Sequence, residues 1–429
     1  MFSGTRWYVV GLFAVFLIAL SVRIGLTGVF VGFDAPPDAN ANSDQVDYEV
    51  LAYHLVSGQG YAIVPGQPTA TRTPGTSLTL AGVYALTGRS FTFGRVWFCV
   101  LSALTCVLVV WLGATCFSRP VGVLAGFLLA IYPAHAYNAM HFVSETPFGF
   151  WLALGLVGTM KALHSPSGRW VWHGLAGACW ALAVLTRPQL LLAVPIAGVM
   201  ICFAGLCRRW SYVRVFAVQV LVLVLLVSPW VIRNAVVLGK PTLSTITGYG
   251  LWGAHNERTF TDPQYSGGWV KASELIDAEH PLIGNEVERN DMAMRYGMDA
   301  IRAHLDQMPG LIVAKLWRMV SPFRDTDNRL VKLAFAAGWL GVGPWVMFGL
   351  LIAVRQSPAS AFTLLLPILA VVASVIIFYG SDRFRDSVAP VFVIPAAYGM
   401  QVAGSWMMGW LGGLTAGEPF SRSLSTSKA

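Results

Sequence analysis

Long apolar segments recur along most of the chain and constrain its fold more than any other feature. Their lengths lie near the roughly 17–25 residues that a helix needs to cross the hydrocarbon core of a bilayer. Only 12% of the residues are charged, whereas a soluble domain normally carries about 25%. The pattern predicts an all-α polytopic membrane protein with about ten transmembrane helices. The predicted spans lie near residues 7–31, 95–117, 120–138, 147–163, 170–186, 189–206, 213–230, 332–354, 360–379 and 388–411.

The charges of the short loops predict how these spans are oriented. With the N-terminus in the cytoplasm, one side receives ten Lys and Arg and a single acid, Glu418. Short loops rich in Lys and Arg face the cytoplasm, so the opposite loops face outward. Two outward loops are large, at about 32–94 and 231–330. The sequence therefore predicts one transmembrane domain over residues 1–411 and a cytoplasmic tail over 412–429.

Two stretches of the outward loops have a helical pattern of their own. Residues Asn285–Met308 place charged and apolar side chains at helical spacing, and Pro309 starts a second helix that continues through Trp317 to Pro322. The segment 74–90 is compatible with a short re-entrant or juxtamembrane helix and equally with an extra crossing. The second outward loop is therefore expected to be partly folded.

Acidic residues are nearly excluded from the first half of the chain, yet three occur together after the first span. These are Asp44, Asp47 and Glu49, and Glu145 is the only other acid between residues 50 and 256. Ionisable groups at membrane depth are costly and mark functional sites by default. The alternative for the first cluster is a solvated, charged loop in front of an amphipathic helix.

The two acidic positions have different chemical possibilities. Asp44 and Tyr48 are four residues apart and share one face if the segment is helical, and a carboxylate at the membrane boundary can remove a proton from a hydroxyl. Glu145 lies at the start of the fourth span, two residues before Pro147. It is either a first-turn acid that the helix macrodipole favours, or a second carboxylate that orients a hydroxyl, binds a divalent cation or sets the pKa of the first acid.

Outward arginine side chains are candidates for binding an anionic lipid headgroup, because a guanidinium matches phosphate oxygens in a bidentate manner. The alternative is that they extend to the interface without binding a ligand. The chain has no P-loop and no dinucleotide-binding glycine motif, so an activated group is expected to reach an outward site on a lipid carrier. The candidates are Arg72, Arg187, Arg233, Arg383 and Arg385.

The motifs around these residues occur in a recognisable order. They are Asp44-x-x-Asp47-Tyr48, Arg72-Thr73-Pro74-Gly75, Ser144-Glu145-Thr146-Pro147, Leu185-Thr186-Arg187-Pro188, Ser228-Pro229-Trp230-Val231-Ile232-Arg233-Asn234 and Arg383-Phe384-Arg385 before Pro390. In this order they resemble GT-C membrane glycosyltransferases. The most similar group is glycosyltransferase family 39, which contains protein O-mannosyltransferases and the aminoarabinose transferase of lipid A.

The resemblance implies an inverting transfer of a hexose or pentose from a polyprenyl-phosphate carrier to an acceptor hydroxyl, on the extracytoplasmic face of the cytoplasmic (inner) membrane. Asp44 matches the catalytic acid of the family, and Glu145 matches its second acidic position. Gln45 stands where some members have another acid, which leaves open whether Asp47 shares the catalytic role. Tyr48 and the five arginines are expected to bind substrate. The implied partners are the lipid-linked donor, the bilayer and an acceptor, and no nucleic acid. No cofactor is certain, and the need for a divalent cation is left open.

Other functions are compatible with parts of the sequence. A transporter or flippase for lipid-linked sugars would use the acids as a proton relay, but it predicts acids buried in mid-span and inverted repeats. A non-catalytic assembly subunit would make the acid cluster incidental. The sequence also leaves open the sugar, the length of the polyprenol, the oligomeric state and the acceptor, which is a protein, lipid A or another envelope glycan.

Overall fold

The fold is almost entirely helical, as predicted. The computed structural model describes residues 3–40, 42–164, 170–203, 210–324, 326 and 328–416, so the predicted cytoplasmic tail lies outside the described residues from 417 onward. Six of the described helices are long and apolar enough to cross a membrane. They are Arg6–Phe30, Phe91–Cys116, Tyr212–Leu238, Arg329–Gln356, Pro358–Ile377 and Ala389–Met408.

The chain begins with a long helix and then builds the first large loop before the next one. The elements are α1 (Ser3–Phe30), α2 (Ser43–Val56), the antiparallel hairpin β1 (Ala62–Val64) and β2 (Gln67–Pro68), α3 (Gly75–Thr87) and α4 (Phe91–Cys116). Helix α3 has 13 residues, which makes it about 20 Å long. A bilayer core is about 30 Å thick, so α3 is too short to be the extra crossing considered for segment 74–90.

The middle of the chain departs from the predicted spans at two prolines. Its helices are α5 (Arg119–Ile131), α6 (Pro133–Asn138), α7 (Glu145–His164), α8 (Trp170–Thr186), the 3-10 turn Pro188–Leu192, α9 (Ala193–Phe203) and α10 (Trp210–Leu238). The predicted span 120–138 breaks at Tyr132, because a residue before proline is pushed towards an extended conformation. Helix α10 continues past the predicted end at 230, since Pro229 lies inside the helix rather than ending it.

The second large loop is partly helical, and this prediction is confirmed. It holds α11 (Thr247–Ala254), α12 (Glu257–Thr261), the 3-10 turn Ala272–Glu274, α13 (Glu286–Ala303) and α14 (Met308–Val320). The helices after this loop are α15 (Arg329–Gln356), α16 (Pro358–Ile377), α17 (Asp382–Ser387) and α18 (Ala389–Ala416). Helix α13 starts with a reciprocal capping box, in which Asn285 accepts from the backbone of Glu288 while the Glu288 carboxylate accepts from the Asn285 backbone. Pro309 lies in the first turn of α14.

Close helix packing forms the core of the molecule. Helix α4 packs against α5, α7 against α8, and α15 against α18. Small residues make these approaches possible, since a Cβ on Gly113 would lie 2.9 Å from the Cα of Gly122. A helix stands at each of the ten predicted spans, but α5, α8 and Pro188–Cys202 are shorter apolar helices. The number of crossings therefore stays a prediction.

The carboxylate of Glu286 ties the two large loops together. It accepts hydrogen bonds from the Thr69 hydroxyl (2.6 Å), the Ala70 amide (2.8 Å) and the Thr245 hydroxyl. The Thr245 amide also donates to the Ala70 carbonyl, at 2.9 Å. Both loops are therefore joined immediately beside Arg72.

Candidate active site

Helix α2 presents Asp44, Asp47 and Tyr48 on one face. The helix is capped by Asn42, whose side chain accepts from the Asp44 amide. Residues three and four apart share a helix face, whereas Glu49 lies on another side of α2. There, both Glu49 oxygens bind the guanidinium of Arg89, at 2.8 and 2.9 Å. Of the three clustered acids, only Asp44 and Asp47 therefore share the face of Tyr48.

A close contact between two helix ends places Arg72 opposite this face. A Cβ on Gly75 would lie 2.3 Å from the Thr186 hydroxyl oxygen, so the start of α3 touches the end of α8. Arg72 precedes this contact. Its Nη2 donates to Asp44 Oδ1 at 2.8 Å, and its Nε and Nη2 donate to Asp47 Oδ2 at 3.0 and 2.9 Å. The Arg72-Thr73-Pro74-Gly75 motif thus anchors the arginine that binds both aspartates.

Glu145 binds two further arginines from distant parts of the chain. It is the first residue of α7, and its side chain is only 2% exposed. Its Oε1 accepts from Arg383 Nε at 2.9 Å and lies 3.0 Å from Arg187 Nη1. Arg187 also donates to the Ser144 hydroxyl at 3.1 Å. Arg383 turns its Nη2 to Asp44 Oδ2, at 3.0 Å, and so bridges the two acidic positions.

These contacts form one continuous chain of ion pairs with alternating charge. In order, its members are Asp47, Arg72, Asp44, Arg383, Glu145 and Arg187. Burial raises the pKa of Asp44, but the positive charges of Arg72 and Arg383 outweigh it, so the pKa of this carboxyl lies below its usual value. Three carboxylates balance three guanidinium groups, and each buried charge has a partner of opposite sign.

A cleft opens over this chain of charges. It comprises about 670 Å³ of space free of protein atoms, part of which is open to solvent. Asp44, Arg72, Arg187 and Arg383 line it directly. The sequence analysis did not identify Tyr379 as a site residue. This tyrosine follows α16 and precedes Arg383 by four residues. The feature of the sequence that pointed to it was its position at the end of the ninth predicted span. The full lining is Asp44, Tyr48, Thr71, Arg72, Thr73, Ser144, Thr186, Arg187, Pro188, Gln189, Ser244, Ile246, Tyr379, Arg383 and Phe384.

Two of the predicted substrate-binding arginines do not reach the cleft. Arg233 donates to the carbonyls of Thr69 (2.8 Å) and Tyr61 (3.2 Å), so it supports the first large loop. Arg385 binds Asp386 at 2.9 Å and donates to the Ser321 carbonyl at 2.7 Å. Both guanidinium groups contact protein partners outside the cleft lining, and their role in substrate binding stays a prediction.

The described residues offer little to a divalent cation. Asp44 and Glu145 already bind guanidinium groups, and no group of three or more His, Cys, Asp or Glu within the described ranges is arranged to hold a metal ion. A cation at this site would compete with arginine for the carboxylates.

Comparison with known proteins gives one family match and several similar folds. The sequence model of the family described as dolichyl-phosphate-mannose-protein mannosyltransferase matches residues 71–232. A comparison with curated protein sequences gives no match. The matched segment contains Arg72, Glu145 and Arg187, and it ends before Arg233.

Among solved structures, the chain is similar to the archaeal oligosaccharyltransferase AglB from Archaeoglobus fulgidus, in complex with an inhibitory peptide and a dolichol-phosphate. The TM-score is 0.59, and the identity is 15% over 99% of this chain. The apo form of the Archaeoglobus fulgidus enzyme has a TM-score of 0.58 and 18% identity over 95% of this chain. This chain covers 53% and 52% of those chains, about half their length. ArnT from Cupriavidus metallidurans, in the apo state, has a TM-score of 0.44 and 15% identity, covering 92% of this chain and 78% of that one. By its long apolar helices and its similarity to the two Archaeoglobus fulgidus structures, the chain is a membrane protein with the GT-C glycosyltransferase fold, and its residues 71–232 match the dolichyl-phosphate-mannose-protein mannosyltransferase family.

Proposed function

We propose that the protein is an inverting glycosyltransferase, which moves a sugar from a polyprenyl-phosphate carrier to an acceptor hydroxyl outside the inner membrane. The observation that carries this proposal is the position of Asp44, which lies in a cleft with one arginine bound to each carboxylate oxygen. Such a site combines a base with cations that match a phosphate. The family match supports a lipid-linked donor, and so does the similar fold of AglB, whose complex includes a dolichol-phosphate.

The charge balance of the cleft determines how a donor would bind. The chain of ion pairs is neutral, so we expect an incoming phosphate to compete with the carboxylates for the arginines. Arg72, Arg187 and Arg383 line the cleft, and their planar guanidinium groups suit phosphate oxygens. Binding of the donor phosphate to Arg72 or Arg383 would then release one oxygen of Asp44.

This exchange would also change the basicity of Asp44. With both arginines in place its pKa is lowered, and a carboxylate in that state is a poor base. Loss of one guanidinium partner raises that pKa. The acceptor oxygen then attacks the anomeric carbon while its proton passes to Asp44. The bond from that carbon to the phosphate oxygen breaks, and its electron pair leaves with the polyprenyl phosphate, which the arginines stabilise.

The helix ends that build the site and the charges of the short loops support a site on the outward face. Glu145 begins α7, Arg187 follows α8 and Tyr379 follows α16, so the cleft lies at one end of the helix bundle. The short loops rich in Lys and Arg are predicted for the other side of the membrane. The acids therefore lie at helix ends rather than in mid-span, an arrangement that favours an enzyme over the transporter considered above.

Mass spectrometry of cell-envelope glycans tests the proposal. Cells lacking the protein are complemented with the wild type, with Asp44→Asn or with Glu49→Gln. Glu49 is a matched control, because it is a buried carboxylate on the same helix whose arginine partner, Arg89, lies outside the cleft lining. We expect the wild type and Glu49→Gln to restore the missing glycan and Asp44→Asn to fail, although all three are inserted in the membrane. Restoration by Asp44→Asn would refute the role of Asp44.

A further inference from the structure

A second pocket adjoins the Asp44 cleft, and the two share Tyr379. We call it the aromatic pocket, because Trp269, Trp317, Phe323 and Tyr379 lie in its lining. It comprises about 1160 Å³, part of which is open to solvent. The space is large enough for a ligand of two sugar rings, since small-molecule pockets usually measure about 300–1,000 Å³.

The lining combines exposed rings with hydrogen-bonding groups. Trp269, Trp317 and Phe323 are 40%, 67% and 57% exposed, so part of each residue is accessible to a ligand. Ser381 and Asp382 lie in the same lining. A pyranose has an apolar face of C–H groups and an edge of hydroxyl groups, and it therefore matches rings flanked by hydroxyl and carboxylate groups.

The walls of the aromatic pocket are fixed by internal contacts. Gly267 has a φ of +72° and lies so close to α14 that a Cβ would come within 2.5 Å of the Ala314 carbonyl carbon. Arg318 donates to the Ser266 carbonyl at 2.7 Å, and Arg385 donates to the Ser321 carbonyl at 2.7 Å. A preformed site loses little of its binding energy to ordering.

A separate cavity is more apolar and would suit the hydrocarbon chain of a donor. Its lining includes Leu190, in the turn whose first residues, Pro188 and Gln189, line the Asp44 cleft. Its lining contains no charged side chain and is mostly aliphatic. The aromatic pocket, with Arg318 and Asp382 in its lining, suits a polar ligand better than an isoprenoid.

We propose that the aromatic pocket binds a pyranose of the acceptor, so that the acceptor is a molecule that already carries sugar. This inference rests on the proposed function, because it takes the Asp44 cleft as the place where transfer occurs. A sugar stacked on Trp269 would lie beside Tyr379, whose ring centroid is 6.1 Å from that of Trp269. A hydroxyl of the neighbouring unit would then reach Asp44 past Tyr379.

Binding of simple glycosides to the full chain in lipid nanodiscs tests the inference. The probes are methyl α-D-mannopyranoside, methyl β-D-galactopyranoside and methyl β-D-glucopyranoside, titrated by saturation-transfer NMR. We expect saturable binding of at least one probe, with a dissociation constant on the order of 1 mM. Trp269→Ala and Trp317→Ala should each weaken it about tenfold, the loss expected for one stacked ring. Trp317 is largely exposed, so its removal is compatible with folding.

Two controls separate this inference from the proposed function. Trp170→Ala removes an equally exposed tryptophan at the far end of α8, and Asp44→Asn removes the proposed base; both should bind the glycosides as the wild type does. The inference is overturned if no probe saturates, if both pocket variants bind normally, or if Asp44→Asn abolishes binding. Failure of glycan restoration by the wild type would instead refute the proposed function, and it leaves the glycoside result unaffected.

Discussion

Each carboxylate oxygen of Asp44 has its own arginine partner, and this pairing decides what the side chain can do. Arg72 binds Oδ1 and Arg383 binds Oδ2, and these two cations lower the basicity of the carboxylate. A donor phosphate would compete with Asp44 for either guanidinium and so restore that basicity. The proposed base would thus become active only when the donor is bound, which limits wasteful reaction with water.

The pH dependence of transfer tests this pairing. The lowered pKa keeps Asp44 ionised below its usual value of 3.8, so its stabilisation of the fold is complete above that value and is lost as the pH falls through the lowered pKa. Arg383→Gln removes one of the two positive charges. We expect the acid limb of kcat/KM for donor consumption to move to higher pH, because the pKa of Asp44 rises when one positive charge is removed.

The measurement follows the release of polyprenyl phosphate in proteoliposomes across the acidic range. Arg355→Gln is the control, because Arg355 is an exposed residue in the last turn of α15 and should leave the acid limb in place. An acid limb that does not move in Arg383→Gln would show that Arg383 does not set the ionisation of Asp44.

At the scale of elements, the contact between α3 and α8 positions Arg72. The Cβ of alanine at position 75 would lie 2.7 Å from the Thr186 amide nitrogen as well as close to its hydroxyl. We expect Gly75→Ala to lower the free energy of unfolding by about 1–3 kcal/mol. It should also weaken donor binding, because a displaced α3 would shift Arg72, three residues before the helix, away from Asp44. Thermal unfolding and donor titration in detergent measure the two effects.

Gly82 provides the comparison within the same helix. A Cβ there meets nothing within 4 Å, so Gly82→Ala should leave donor binding intact and raise helix stability by up to about 1 kcal/mol. Equal behaviour of the two alanine variants would show that close packing at Gly75 is not required.

Most helices could be predicted because their signals are local. Hydropathy placed the long apolar helices, and the pattern over Asn285–Met308 with Pro309 gave α13 and α14. The break at Tyr132 was visible as Pro133, but the apolar composition on both sides suggested one span. Local signals do not show which apolar helices cross the bilayer completely.

The orientation of individual arginines could not be predicted. Arg383 and Arg385 are two residues apart in α17, so they point to nearly opposite sides of the helix. Because this segment is helical, only one of them faces the Asp44 cleft, and the choice depends on contacts with Asp44 and Asp386. Arg233 likewise finds its partners in the first large loop, far away along the chain.

At the scale of the molecule, Glu286 should control the stability of both large loops. In Glu286→Gln, an amide replaces the carboxylate that accepts three hydrogen bonds, and the NH₂ group of that amide is itself a donor. We expect the free energy of unfolding to fall by about 1–3 kcal/mol. We also expect faster proteolysis in both loops, at the segments around Thr69 and Thr245. Glu279→Gln, an exposed position in the same loop, should change neither. Cleavage of one loop alone would show that the loops open independently.

The shared anchor at Glu286 also bears on any attempt to change the proposed acceptor. Exchanging one outer loop for that of a relative would leave this carboxylate without its hydrogen-bond donors, or the donors without their carboxylate. Chimeras should therefore work when both loops are transplanted together. In evolution the same coupling would make the two loops diversify as a single inherited unit.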